Sequence, residues 1–142
     1  MIWTGGCLCG AVRYRAEADP VRVVICHCGM CRRISGAPML CFVHLPANAF
    51  LWLAGEPTRY RSSSEAERGF CARCGGTLTM HETVLADRVQ ATLGSLDRPD
   101  LVRPDDHVWV SNQLPWLRLA DSLPRFATTS TAVPSRALDP PG

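Results

Sequence analysis

A chain of 142 residues and 15.6 kDa has room for one hydrophobic core and not for two. Its 46% hydrophobic and 20% charged residues are a globular balance, which excludes wholesale disorder. The formal charge of +2, with fifteen Arg and no Lys, is too mild for a strongly basic nucleic-acid domain.

In chain order, residues 11–16 alternate like a strand, and the β-branched run 21–25 reads as another. Residues 26–36 are dense in Cys, Gly and Arg and read as a loop or knuckle with room for one helical turn. Strands follow over 38–45, 49–53 and 58–61, then a polar turn over 62–65. The segment 34–55 has no charge but contains Pro38, His44, Pro46 and Asn48. Two strands broken near Pro46 account for it better than a membrane span of about 20 apolar residues. Residues 68–71 enter a second knuckle and 77–80 leave it. Strands are expected at 88–93 and 107–110, with a proline-containing loop between them. The Thr/Ser/Pro-rich residues 127–142 read as a tail, leaving a mainly β domain over 1–126.

Eight cysteines dominate the chemistry. The N-terminus lacks the basic and apolar regions of a secretory signal, so a reducing cytoplasm is expected. There, clustered cysteines are metal ligands or catalysts more often than disulfides. Cys7 and Cys9 form C-x-C, Cys26, Cys28 and Cys31 form C-x-C-x-x-C, and Cys71 and Cys74 form C-x-x-C. Thiolates on one tetrahedral ion must converge, so the chain between them must turn tightly. Gly10, Gly29 and Gly75-Gly76 stand where positive φ would help such turns. Structural zinc takes four protein ligands and catalytic zinc usually three. The partition is therefore Cys7, Cys9, Cys71 and Cys74 for a closed site, and Cys26, Cys28 and Cys31 for an open one.

Other arrangements use the same residues. A thioredoxin-like motif at Cys71–Cys74 needs a helix start that Gly75-Gly76 oppose. Disulfides need a secreted scaffold, and two closed sites need Cys41 as an eighth ligand. Cys41, inside an apolar run, is expected as a packed core side chain. His27 lies between two ligands, and neighbouring side chains on extended chain point oppositely, so it is expected to face away from the metal in a structural role. His44, His81 and His107 lack ligand spacing. Trp109 and Trp116 are expected in the core, the alternative being a place on a pocket wall. Arg32 and Arg33, directly after the knuckle, suit a ligand carboxylate.

Four motifs carry a family resemblance: Gly5-Gly-Cys-Leu-Cys-Gly-Ala-Val-Arg-Tyr14, Cys26-His-Cys-Gly-Met-Cys-Arg-Arg-Ile-Ser-Gly36, Phe70-Cys-Ala-Arg-Cys-Gly-Gly-Thr77, and His107-Val-Trp-Val with Leu114-Pro-Trp116 and Asp121-Ser-Leu-Pro-Arg-Phe126. In this order they resemble the glutathione-dependent formaldehyde-activating enzyme family, which includes the centromere protein V-type domain. The resemblance implies an Mss4-like (β-tent) fold with several small antiparallel sheets. It implies structural zinc at Cys7, Cys9, Cys71 and Cys74 and catalytic zinc at Cys26, Cys28 and Cys31. It also implies a carbon–sulfur lyase-type activity on a glutathione, or other small-thiol, adduct of formaldehyde or a related aldehyde. Arg32, Arg33 and Arg73 are then the candidate partners of the thiol's carboxylates. No nucleic acid or membrane partner is expected. The alternative function is a non-catalytic, zinc-stabilised binding module for protein or nucleic acid, against which the mild charge counts.

Overall fold

Strand β3 (Arg22–Cys26) is apolar on both of its faces, and a strand with that pattern needs cover above and below. The computed structural model, which describes residues 1–129, supplies both covers. The strands are β1 (Trp3–Gly6), β2 (Arg13–Ala16), β3, β4 (Leu40–Pro46), β5 (Phe50–Ala54), β6 (Thr58–Arg61), β7 (Ala66–Phe70), β8 (Thr77–Glu82), β9 (Arg88–Thr92) and β10 (Asp106–Val108). One helix, α1 (Gly29–Ser35), joins β3 to β4. The expected mainly β fold is the one found. Two sheets form, β1-β2-β5 and β10-β3-β4-β9-β8-β7-β6. Every pairing is antiparallel except β10 with β3.

The smaller sheet covers one face of the larger one. Trp3, Tyr14 and Ala16 pack there with Val23, Val43, Leu45, Leu78 and Ala91. The alternate residues Val24, Cys26, Phe42, Met80 and Val108 point to the opposite face, where Cys31 of α1 joins them. That second face carries the candidate site. Buried Asp106 accepts from Arg22 Nε at 3.0 Å and Nη2 at 2.6 Å, which clamps β10 onto β3.

Several local expectations need correction. The knuckle after β3 is a seven-residue helix, because Cys28 caps its start and Gly36, at φ 70°, closes its end. Gly10 and Gly75 do take positive φ, but Gly29 and Gly76 do not. Gly29 instead opens α1. Cys41 is only half-buried, although it shares a face of β4 with buried Val43 and Leu45. Trp116 is exposed and Trp109 half-buried, so neither is a core residue. The expected tail lies mostly outside the described residues. Its first residues pair with the body, as Ala127 and Thr128 carbonyls accept from the Ser111 and Trp109 amides. No helix among the described residues is long and apolar enough to cross a membrane.

Candidate metal centre and active site

The loop after β1 carries Cys7 and Cys9, and the turn between β7 and β8 carries Cys71 and Cys74. Their four sulfurs lie within 4.8 Å of one another. Cys7 and Cys9 are 3.7 Å apart, and Cys9 and Cys71 are 3.8 Å apart. Zn–S bonds of 2.3 Å at a tetrahedral angle place sulfurs about 3.8 Å apart, so these thiols already have metal-ligand spacing. Backbone amides point at them: Val12 N–H donates to Cys7 Sγ at 3.3 Å, and Arg73 N–H to Cys71 Sγ at 3.4 Å. The amides of Cys9 and Gly76 help hold the Cys74 thiol down to about 6. A set of four thiols closed over 60-odd positions of chain suits structural zinc.

Cys26 ends β3, Cys28 caps α1 and Cys31 sits in its first turn. Their sulfurs also lie within 4.8 Å of one another, with Cys26 and Cys31 at 3.3 Å. Among the described residues, no fourth His, Cys, Asp or Glu joins this group. Cys28 Sγ accepts from the Cys31 amide at 3.3 Å. Hydrogen bonds from Cys26 and Cys31, with that amide and the Arg68 charge, push the Cys28 thiol down to about 2. The same bonds push Cys26 up.

Arg68 of β7 is buried beside this group. Its Nη1 donates to Cys31 Sγ at 3.5 Å and its Nε to Ser62 Oγ at 3.1 Å. An unpaired buried cation is costly. A divalent ion with three thiolates carries a net −1, which one guanidinium neutralises. The donor set and its buried counter-charge therefore fit zinc with an open position.

His27 does face away from the thiols. Its Nε2 lies 2.9 Å from His107 Nδ1, and His107 Nε2 reaches Asp121 at 3.0 Å. Both rings are fully buried and stacked. Burial, then His107, pushes the His27 imidazole down to about 4. Arg68 and the His107–Asp121 partnership went unnoticed in the sequence, because neither has a local spacing signal.

The arginines divide. Arg32 Nη1 donates to the carbonyls of His27 at 2.7 Å and Asn112 at 2.5 Å, bracing the knuckle against the loop after β10. Arg33 is exposed and lines a cavity of about 270 Å³ with Met30, Tyr60, Ser62 and Arg68. Arg73 is exposed within the four-cysteine turn. A second cavity, of about 220 Å³, shares none of these lining residues and includes Cys26 in its wall.

A mainly β chain with a four-thiol and a three-thiol cluster, each able to hold a metal ion, defines a class of cysteine-rich proteins. The family model described as "Glutathione-dependent formaldehyde-activating enzyme" matches residues 2–112, and the chain belongs to that family. It is 28% identical over 130 residues to a Halomonas elongata protein named "Putative glutathione-dependent formaldehyde-activating enzyme", covering 84% of this chain and 82% of that one. It is 36% identical over 78 residues to an uncharacterized lyase of Schizosaccharomyces pombe, covering 54% of this chain and 55% of the yeast protein. A Rhodobacter sphaeroides crystal structure superposes with a TM-score of 0.54 at 25% identity, covering 71% of this chain and 96% of that one.

Proposed function

We propose that this chain is a zinc-dependent carbon–sulfur lyase-type enzyme that makes and breaks the bond between a small thiol, glutathione first, and formaldehyde or a related aldehyde. The observation that carries the reading is the three-thiol group with no fourth protein donor among the described residues, backed by buried Arg68. The names of the relatives support the same chemistry.

Zinc bound by Cys26, Cys28 and Cys31 supplies a position for an exogenous sulfur and lowers its thiol pKa. The chain's own residues do the rest. Arg68 offsets the charge that gathers on the sulfurs. Arg33, on the rim of the cavity that Arg68 also lines, meets a carboxylate of the thiol substrate through a charge-assisted hydrogen bond. The other nitrogens of Arg32, and Arg73 from the other knuckle, are further partners. The sulfur attacks the carbonyl carbon, one C–S bond forms, the C=O bond becomes single, and the thiol proton ends on oxygen. The reverse reaction returns both substrates. Cys7, Cys9, Cys71 and Cys74 hold a structural zinc within a unit of residues 1–126. Cysteines kept as free thiols suit the reducing cytoplasm.

Thiols and formaldehyde combine spontaneously, so product formation is a poor test. Exchange spectroscopy of the hemithioacetal at equilibrium is the better one, comparing buffer, zinc-loaded protein and Cys28→Ser. Acceleration by the intact protein alone is expected. If no small thiol tested exchanges faster than in buffer, the binding-module function replaces this one.

A further inference from the structure

The cavity beside Cys26 differs in chemistry from the one beside Arg33. Its wall is one face of the larger sheet, where Val24, Phe42, Met80 and Val108 project, with Trp109 and Val84 at the edge. Its charged groups are already engaged: Arg22 with Asp106, and Glu82 with the Gln90 amide at 2.7 Å. A carboxylate finds no available cation there. At about 220 Å³ it is also smaller than the roughly 300–1,000 Å³ of drug-sized ligand sites.

Two features mark it as more than a gap in packing. His44 lines it, is 3% exposed, and has no hydrogen-bond partner on either ring nitrogen. Buried polar atoms are nearly always paired, and an unpaired pair of ring nitrogens calls for a guest. Trp109 holds a left-handed backbone at φ 57°, a conformation that a bulky side chain avoids unless its placement matters.

The register gives the cavity a direction. Arg22 pairs with His44, and Cys26 lies four residues further along β3. At about 3.3 Å per residue, His44 and Cys26 stand about 13 Å apart along the sheet. Valine and phenylalanine side chains fill the interval.

We infer that this cavity holds the hydrocarbon body of a medium-sized alkyl or aryl aldehyde, its carbonyl end toward Cys26 and a polar group within reach of His44. The inference rests on the proposed carbon–sulfur chemistry and extends it from formaldehyde to a substrate class. The thiol, with its carboxylates, occupies the separate cavity that Arg33 and Arg68 line. The bond changes are those already given: sulfur to carbonyl carbon, and the thiol proton to oxygen.

Unreactive alcohols test the cavity apart from the reaction. Ethanol, butanol and hexanol, with benzyl alcohol as the aryl member, are titrated into the full-length zinc-loaded protein and followed by NMR. Saturable shifts are expected at the Met80 and Val108 methyls and the His44 ring, with affinity rising about fourfold per added methylene. Val84→Asp, on an exposed residue at the mouth, should weaken hexanol several-fold while the fold persists. Val24→Phe should abolish binding by filling the cavity. A flat alcohol series, or shifts unchanged by Val84→Asp, overturns the inference even if hemithioacetal exchange is accelerated. A rising series with no accelerated exchange keeps the apolar site and removes the proposed reaction alone.

Discussion

Arg68 of β7 donates from Nη1 to the sulfur of Cys31 in α1 at 3.5 Å, across 37 positions of the chain. This contact ties the charge of a buried guanidinium to the three-thiol group. Its Nε donates to Ser62 Oγ, which is neutral. Arg68 is therefore a positioning residue that acts through the sulfurs.

Arg68→Met should lower metal affinity at the three-cysteine group by about 10- to 100-fold, the usual effect of losing a partner of a ligand. Arg68→Lys should recover part of it, since the charge remains but the fork to Ser62 is lost. Competition with a chromophoric chelator measures this. Equal affinity in wild type and Arg68→Met would remove the charge-compensation role.

The two thiol groups should respond differently to mutation. Protein purified without chelators should hold one to two zinc ions per chain in sulfur-rich coordination, as read by elemental analysis. Cys71→Ser opens the closed group that joins the β1–β2 loop to the β7–β8 turn. Structural zinc contributes folding free energy directly. A loss of about 5 kcal/mol would lower Tm by about 10–20 °C for a chain of this size. Cys28→Ser should leave a folded protein with less metal and no exchange activity. Matching melts, with both variants unfolded, would make the three-cysteine group structural as well.

The cysteine grouping was legible because short spacings encode convergence. C-x-C and C-x-x-C place thiols close together whatever the rest of the chain does. Strands with continuous β-branched runs, such as Arg22–Cys26, were equally plain. Strand β1 was not, since Gly5 and Gly6 have low strand propensity. Packing overrides it: a Cβ on Gly5 would lie 2.4 Å from the Tyr14 ring. The length of α1 was hidden in its caps, because Cys28 acts as an N-cap through sulfur, which few sequence rules anticipate. Arg68 and the pairing of Asp121 with His107 were illegible for another reason. Each meets its site only through tertiary structure, and a lone charged residue has no periodicity to reveal it.

His44 gives a pH prediction. Burial, with Arg22 and Arg88 close by, pushes its imidazole down to about 3. The unfolded chain binds that proton near the ordinary value of about 6.5. Stability is therefore complete above about pH 6.5 and is lost as pH falls toward 3. By pH 5 the loss is about 2 kcal/mol. Urea unfolding of wild type and His44→Phe at pH 7 and pH 5 isolates this share, since metal release by acid affects both proteins. The wild type should lose more. Equal losses would assign the acid sensitivity elsewhere.

The last prediction concerns the chain from Asp121 through His107 to His27. The Asp121 carboxyl is held below its usual range by the His107 hydrogen bond, so it accepts and His107 Nε2 carries a proton. In the neutral state His107 Nδ1 is then an acceptor, and His27 Nε2 must donate to it across 2.9 Å. This leaves His27 Nδ1 as a bare, buried nitrogen without a partner. When neutral, both rings should therefore be Nε2–H tautomers, a state that long-range proton–nitrogen NMR reads directly. His107→Phe strands the His27 donor in the core and should cost about 1–3 kcal/mol. Because His27 sits between Cys26 and Cys28, two of the proposed zinc ligands, the same variant should also loosen them, seen as faster metal loss to a chelator. His107→Gln keeps a polar partner in reach and should restore part of both. A proton found on His27 Nδ1, or unchanged metal retention in His107→Phe, would show that the relay neither sets the tautomer nor steadies the ligands.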